Sequence, residues 1–175
     1  MTHAQSIHVD QLPQSVEEFV AQQDQVAQTP QGGAAMMVVA LLAYAEDSSL
    51  GQQCLAMAVD RGRLQEGRPG HGGWGLGVRD LQLIQMQVGS RSYIPRSYIQ
   101  GTTPRNGYRL PEAPYRFEFA HNPYSGDEAS GAYKVFLVSS GADSARPVSL
   151  RRKEGGLWKA WEWSSLLVGV RPPAG

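Results

Sequence analysis

Gly33-Ala34-Ala35-Met36-Met37-Val38-Val39-Ala40-Leu41-Leu42-Ala43-Tyr44-Ala45 is the longest uninterrupted non-polar run in the chain, and its reading decides the fold. From Ala34 to Ala45 there are twelve apolar residues. A bilayer span needs about 20 residues, so the run reads as a helix buried on all sides of a core. Thr29-Pro30 starts it well, because threonine caps and proline at the first helical position forfeits no hydrogen bond. The expected end is near Glu46-Asp47.

Working outward, Ser6 to Leu12 alternates as a short strand or extended arm. After Pro13, Ser15 and Glu18 form a capping box, and a helix is expected to about Ala27 with Val16, Phe19, Val20 and Val26 on its dry face. Ser48 or Ser49 caps a third helix carrying Leu50, Cys54, Leu55 and Val59, with a last turn reaching Asp60, Arg61 and Gly62. The second helix is expected to lie sandwiched between the first and third. Gly67 to Gly77 reads as a glycine loop. Val78 to Val88 fits either period, and the helical reading is preferred because Asp80 suits a first turn and Gly89 a stop.

From Tyr115 the period becomes two. Strands are expected at Tyr115 to Phe119, at Tyr133 to Val138 (apolar enough to be buried on both faces), at Val148 to Arg152, Trp158 to Trp163 and Leu166 to Val170. A hairpin turn falls at Glu154-Gly155-Gly156. Helices first and strands afterwards give an α+β fold: three to four N-terminal helices packed on a C-terminal antiparallel sheet of four to five strands. With 175 residues this is expected to be one domain, helical over 1–90, irregular over 91–114 and mainly β over 115–171.

Net charge is zero, which disfavours a general polyanion binder, but the charge is segregated. Residues 1–60 carry seven acids and no Lys or Arg, residues 61–111 carry eight Arg against Glu66 and Asp80, and the remainder sums to +1. The simplest structural consequence is that the acidic helices and the Arg-rich middle face each other. A single cysteine, Cys54, excludes an internal disulfide, and MTHAQSIHVD has no secretory pattern, so a cytoplasmic protein is expected.

Several blocks, Gly32-Gly33-Ala34-Ala35 with Tyr44-Ala45-Glu46-Asp47, Pro95-Arg96-Ser97-Tyr98-Ile99-Gln100-Gly101-Thr102, Asn122-Pro123-Tyr124-Ser125-Gly126-Asp127, Ser140-Gly141-Ala142-Asp143-Ser144-Ala145-Arg146-Pro147 and Trp158-Lys159-Ala160-Trp161-Glu162-Trp163-Ser164-Ser165-Leu166-Leu167-Val168-Gly169-Val170, resemble those of a bacterial domain-of-unknown-function family over most of the chain. The resemblance implies a cytosolic bacterial protein. It brings no activity and no catalytic residues.

Chemical signatures are sparse. Gly70-His71-Gly72-Gly73-Trp74-Gly75 spells G-x-G-x-x-G, but Glu66 to Pro69 cannot be the buried parallel strand that the dinucleotide motif requires, so a mobile surface loop is expected and no cofactor. His3, His8, His71 and His121 are scattered without metal spacing, and no metal site is expected. Cys54 falls on a dry helix face as a small hydrophobe.

The segment Arg91 to Arg109 has more to offer. Arg91, Tyr93, Arg96, Tyr98, Arg105, Tyr108 and Arg109 occur there with no acid, as irregular chain or a hairpin turning at Asn106-Gly107. Guanidinium forks and aromatic faces suit an anion, a protein partner or, as a less favoured choice, nucleic acid. The structural alternative is that Tyr93 and Tyr98 anchor the loop while the arginines pair with the acidic helices. Trp158 and Trp161 lie on opposite strand faces, one for the core and one for an exposed contact patch. The leading expectation is therefore a binding module. A pocket enzyme drawing on Arg96, Tyr98, His121, Asp127, Asp143 and Arg146 is the alternative, and an effector, toxin or immunity-type protein a third. The sequence leaves oligomeric state open, and no membrane partner is expected.

Overall fold

The computed structural model describes residues 6–174. Strand β1 (Ser6–Val9) is followed by helices α1 (Val16–Val26), α2 (Pro30–Glu46) and α3 (Ser48–Ala58), and then by three short strands, β2 (Leu64–Glu66), β3 (Gly70–His71) and β4 (Trp74–Leu76). Helix α4 (Val78–Val88) and the single turn α5 (Tyr93–Arg96) precede strands β5 (Tyr115–Ala120), β6 (Ala132–Leu137), β7 (Arg146–Arg152) and β8 (Trp158–Glu162). The fold is α+β, as the order of periods predicts.

Helix α2 forms the centre. Thr29 Oγ1 accepts the Gly32 N–H at 3.0 Å and Pro30 opens the first turn. Every residue from Ala34 to Leu41 is fully buried. Burying each Val, Leu or Met side chain favours folding by about 1.5–3 kcal/mol, which makes α2 the main source of hydrophobic stabilisation. Its shielding differs from the expectation of two flanking helices. α1 and α3 cover one side, but β1, β6, β7 and β8 cover the other. A helix apolar on all sides needs a complete shell, which the sheet completes.

The local corrections have simple causes. Glu18 Oε2 accepts the Gln14 N–H at 2.7 Å, so the capping box of α1 closes one residue earlier than the standard reciprocal bond, while Ser15 Oγ accepts from Glu18 N as expected. The cap of α3 is Asp47, whose Oδ1 accepts from Ser49 and Leu50 N–H, rather than Ser48 or Ser49. One residue thus ends α2 and starts α3. That tight junction presses α3 onto α2 at Gly51, where a Cβ would lie 2.1 Å from Tyr44 Cα.

Helix α3 ends at Ala58 and does not reach Gly62, because Val59 forms a parallel bridge with Ala160 and the Asp60 N–H donates to Ala160 O at 2.8 Å. The expected glycine loop is instead a small antiparallel sheet of order β2-β4-β3 packed on α3. Gly75 belongs to it because its backbone touches the neighbouring chain: a Cβ there would stand 2.0 Å from Pro69 O.

The main sheet has the order β1-β5-β6-β7-β8 with every neighbouring pair antiparallel. Its five strands match the upper expected count, but not by the expected members. Leu166 to Val170 is not a strand. Ser164–Leu167 forms a 3-10 turn that buries Leu166 and Leu167, and β1 supplies the fifth strand by pairing Ile7 with Phe117. Nor is β6 buried on both faces, since Val135 and Leu137 are buried while Lys134 and Phe136 are half-exposed.

The Arg-rich middle does not lie against the acidic helices as a set of pairs. Among the described residues one ion pair joins the two, Arg96 Nη2 to Glu46 Oε1 at 3.2 Å. No hairpin forms at Asn106-Gly107 either. Asn106 Oδ1 accepts from Thr103 and Arg109 N–H, closing a compact turn within irregular chain.

Candidate functional site

Strand alternation divides the sheet into two chemically different surfaces. Val135, Leu137, Val148, Leu150, Trp158 and Ala160 are buried on the side of α2. Lys134, Ser149, Arg151 and Trp161 share the opposite face. Trp158 is 2% exposed and Trp161 half-buried, the division the sequence predicts for these two tryptophans.

Trp161 organises this outer face. The Arg151 guanidinium carbon lies 3.6 Å from the centre of the indole and that of Arg63 lies 5.4 Å away. Each cation–π contact contributes about 0.5–1 kcal/mol at an exposed site, and together they hold two cations near one ring. Arg63 reaches the ring because the Val59–Ala160 bridge lays the 3-10 turn Arg61–Arg63 along the edge of β8. Gly62 leaves room for it, since a Cβ there would sit 2.9 Å from the indole edge.

Glu162 orients the same guanidinium from the side. Its Oε2 lies 3.8 Å from Arg63 Nη2, while Oε1 accepts from Ser164 Oγ at 2.6 Å and Ser164 N at 3.0 Å. The Ser164 hydroxyl bond holds the Glu162 carboxyl below its ordinary pKa, so it stays ionised. Beside the indole runs a groove of about 280 Å³ lined by Tyr124, Tyr133, Lys134, Arg151 and Trp161. Tyr124 is 81% exposed and therefore available for contact. Two oriented guanidiniums, an ammonium and exposed aromatic surface fit an anionic ligand.

The Arg91 to Arg109 segment has a different form. It threads between β5 and the end of β6: the Gln100 N–H donates to Arg116 O at 2.9 Å and the Ser140 N–H to Ser97 O at 2.8 Å. Tyr98 is buried and donates to Leu166 O at 2.7 Å; burial pushes its hydroxyl pKa up, and the nearby Arg146 charge opposes that rise. Tyr108 is fully buried, donates to Arg171 O at 2.6 Å, and stacks on the half-buried Tyr93 with ring centres 5.5 Å apart. Tyr108 also holds a positive φ of 55°, a conformation costly for a bulky residue and maintained here by its packing.

The rings of Tyr98 and Tyr108 therefore anchor the segment and have no free stacking face. Ser97, Thr102, Ser139 and Ser140 tie it down through hydroxyl bonds. Arg91, Arg105 and Arg109 remain exposed, and Arg96 is engaged with Glu46.

The six residues of the expected enzyme pocket are not brought into one network. Arg146 Nη1 is 3.4 Å from Asp143 Oδ1, and its guanidinium also donates to Val168 O and Gly169 O, strapping the C-terminal segment to β7. Asp127 caps the 3-10 turn Glu128–Ser130, and His121 is exposed after β5. Among the described residues no hydrogen bond or ion pair connects either to Arg96, Tyr98 or Arg146. Cys54 is buried with its thiol pKa pushed up to about 12, which removes it as a nucleophile at neutral pH. No group of three His, Cys, Asp or Glu suited to a metal occurs among the described residues; His3 lies outside them. No helix among them is long and apolar enough to cross a membrane.

The sequence singled out Trp161 but missed Arg63, Lys134, Tyr124 and Arg151 as its companions. The strand period could have placed Lys134 and Arg151 on one face, whereas Arg63 arrives only through the tertiary bridge at Val59.

The family model for "Domain of unknown function (DUF6935)" matches residues 11–174, and the chain belongs to that family. No curated protein and no solved structure matches the chain.

Proposed function

We propose that the protein is a cytoplasmic binding module rather than an enzyme, and that it holds an anionic, phosphate-bearing ligand on the outer face of its sheet. The observation that carries this reading is the placement of Arg151 and Arg63 within 3.6 and 5.4 Å of one indole centre beside an accessible groove. Orienting two guanidiniums before the ligand arrives lowers the entropy lost on binding. Lys134 adds a third cation, and Tyr124 gives a ring for apolar or stacking contact. The lone free cysteine supports the cytoplasmic assignment.

Fluorescence anisotropy with a labelled oligothymidylate, competed by inorganic polyphosphate, tests this reading. Arg63→Gln with Arg151→Gln is expected to weaken binding at least ~10-fold, since a hydrogen bond to a charged group is worth about 1.5–3 kcal/mol. Competition by polyphosphate at equal charge assigns the ligand to phosphate alone, and its failure assigns recognition to the nucleotide as well. Unchanged affinity in the double variant refutes the site.

A second reading rests on the exposure of Arg91, Arg105 and Arg109. These exposed cations are the second candidate for contact with a protein partner or anion. Replacing Arg91, Arg96, Arg105 and Arg109 together by Gln separates the two, because that variant loses the ligand only if these residues are the ones used.

A further inference from the structure

The two edges of the main sheet are treated differently. Beyond β8 the chain is sealed by the Val59–Ala160 bridge, the Asp60 N–H on Ala160 O, and the Lys159 ammonium on Met57 O. At the other edge, β1 pairs with β5 on one side, and on the other it pairs with no strand among the described residues. That free side opens into a groove of about 740 Å³ whose opposite wall is α1. An exposed strand edge is a template for another strand, and the proteins that keep one beside a helix have a ready groove for an extended peptide.

The groove specifies what it would accept. Its charged lining consists of Asp10 and Glu18, with His8 lying 3.8 Å from Asp10, and no Lys or Arg lines it among the described residues. α1 presents Gln22 and Gln25 to it, and the turn after α1 adds Gln28, side chains suited to bonding amides. Gln22 is committed on one side only: its Nε2 donates to Gln11 O at 2.8 Å, while its buried Oε1 has no hydrogen-bond partner. That oxygen has almost no accessible surface, which leaves the exposed Gln25 and Gln28 as the amides open to a ligand.

We infer that the β1–α1 groove binds an extended, basic segment of a partner protein by strand addition to the free edge of Ser6–Val9. Backbone bonds to β1 hold the segment, and its Lys or Arg side chains meet Asp10 and Glu18. At about 3.3 Å per residue β1 offers some 13 Å of edge, enough to register about four peptide residues. A second copy of this chain is disfavoured as occupant because the strand it would add, Ser6–Val9, carries no Lys or Arg to meet Asp10 and Glu18. This site is on a different surface from the Arg63–Trp161–Arg151 face, so either can fail alone.

The test uses a phage-displayed library of random octapeptides selected on the whole protein. Selection is expected to enrich peptides with Lys or Arg among β-branched residues, and the selected peptide should slow amide exchange over Ser6–Val9. Methylating the peptide's backbone nitrogens one at a time should abolish binding at alternate positions, as strand pairing requires. Asp10→Lys with Gln25→Lys, both exposed, should weaken that peptide at least ~10-fold without altering the circular dichroism of the fold. The inference is overturned by no enrichment, by enrichment of acidic or helical peptides, by tolerance of methylation at every position, or by a dimer through β1 in light scattering.

Discussion

Leu150 and Arg151 are neighbours on β7, yet they belong to two different materials. Leu150 is 1% exposed and packs towards α2, while Arg151 stands on the other face against the Trp161 ring. The same alternation separates Ala160 from Trp161 on β8. One face of the sheet is committed to cohesion with the central helix, and the other carries cations and aromatic surface that the core does not use. If the outer face binds the proposed ligand, stability and recognition are divided by the pleat, one residue apart, and variants of adjacent residues should have opposite signatures.

Leu150→Ala should have the largest effect on stability. Emptying a buried leucine site costs about 2–5 kcal/mol, so urea denaturation should show a much lower midpoint, and the oligothymidylate affinity of the remaining folded protein should be unchanged. Arg151→Gln should do the reverse, with stability lowered by no more than about 1 kcal/mol, the worth of its contact with the Trp161 ring, in the same denaturation. A large loss of stability in that variant would break the comparison, because it would make the outer face structural.

Lys159 gives a smaller effect that depends on pH. Burial pulls its ammonium pKa down to about 8 from 10.5. Between those values the unfolded chain binds more protons than the folded one, so the contribution of this group to stability rises with pH from about 8 towards 10.5. The tyrosine hydroxyls Tyr98 and Tyr108, raised by burial, act in the opposite sense above pH 10. The Cys54 thiol, raised from 9 to about 12, opposes the Lys159 effect from about pH 9, so thermal melts between pH 8 and 9 should show a rise in the parent protein that Lys159→Met lacks. Glu46→Gln should have the least effect. Its pair with Arg96 is solvent-exposed on the glutamate side, and such pairs contribute about 0–1 kcal/mol, so its denaturation midpoint should barely move.

Much of this division was legible in the sequence, because α2, its Thr29-Pro30 start and the two-residue period from Tyr115 are local patterns. Trp158 and Trp161 could be assigned to opposite faces for the same reason. What the sequence hid depends on distant partners. Leu166 and Leu167 look like strand residues until a 3-10 turn buries them, and β1 takes the place in the sheet that they were expected to fill. The three strands between Leu64 and Leu76 are too short and too glycine-rich to show a period. The Arg/Tyr segment combined two roles that composition cannot separate, since Tyr98 and Tyr108 are buried anchors while Arg91, Arg105 and Arg109 are exposed. Arg63 belongs to the Arg-rich middle by position, but the Val59 bridge carries it to the β8 edge beside the Trp161 ring.

The most direct test of the anionic-ligand surface is the salt dependence of oligothymidylate binding in the parent protein and in the Arg63→Gln, Arg151→Gln double variant. Each phosphate contact to a single strand contributes about 0.7 to the slope of log K against log salt, so loss of both guanidiniums should flatten the slope by about 1.4. An identical slope and affinity in the two proteins would contradict the account.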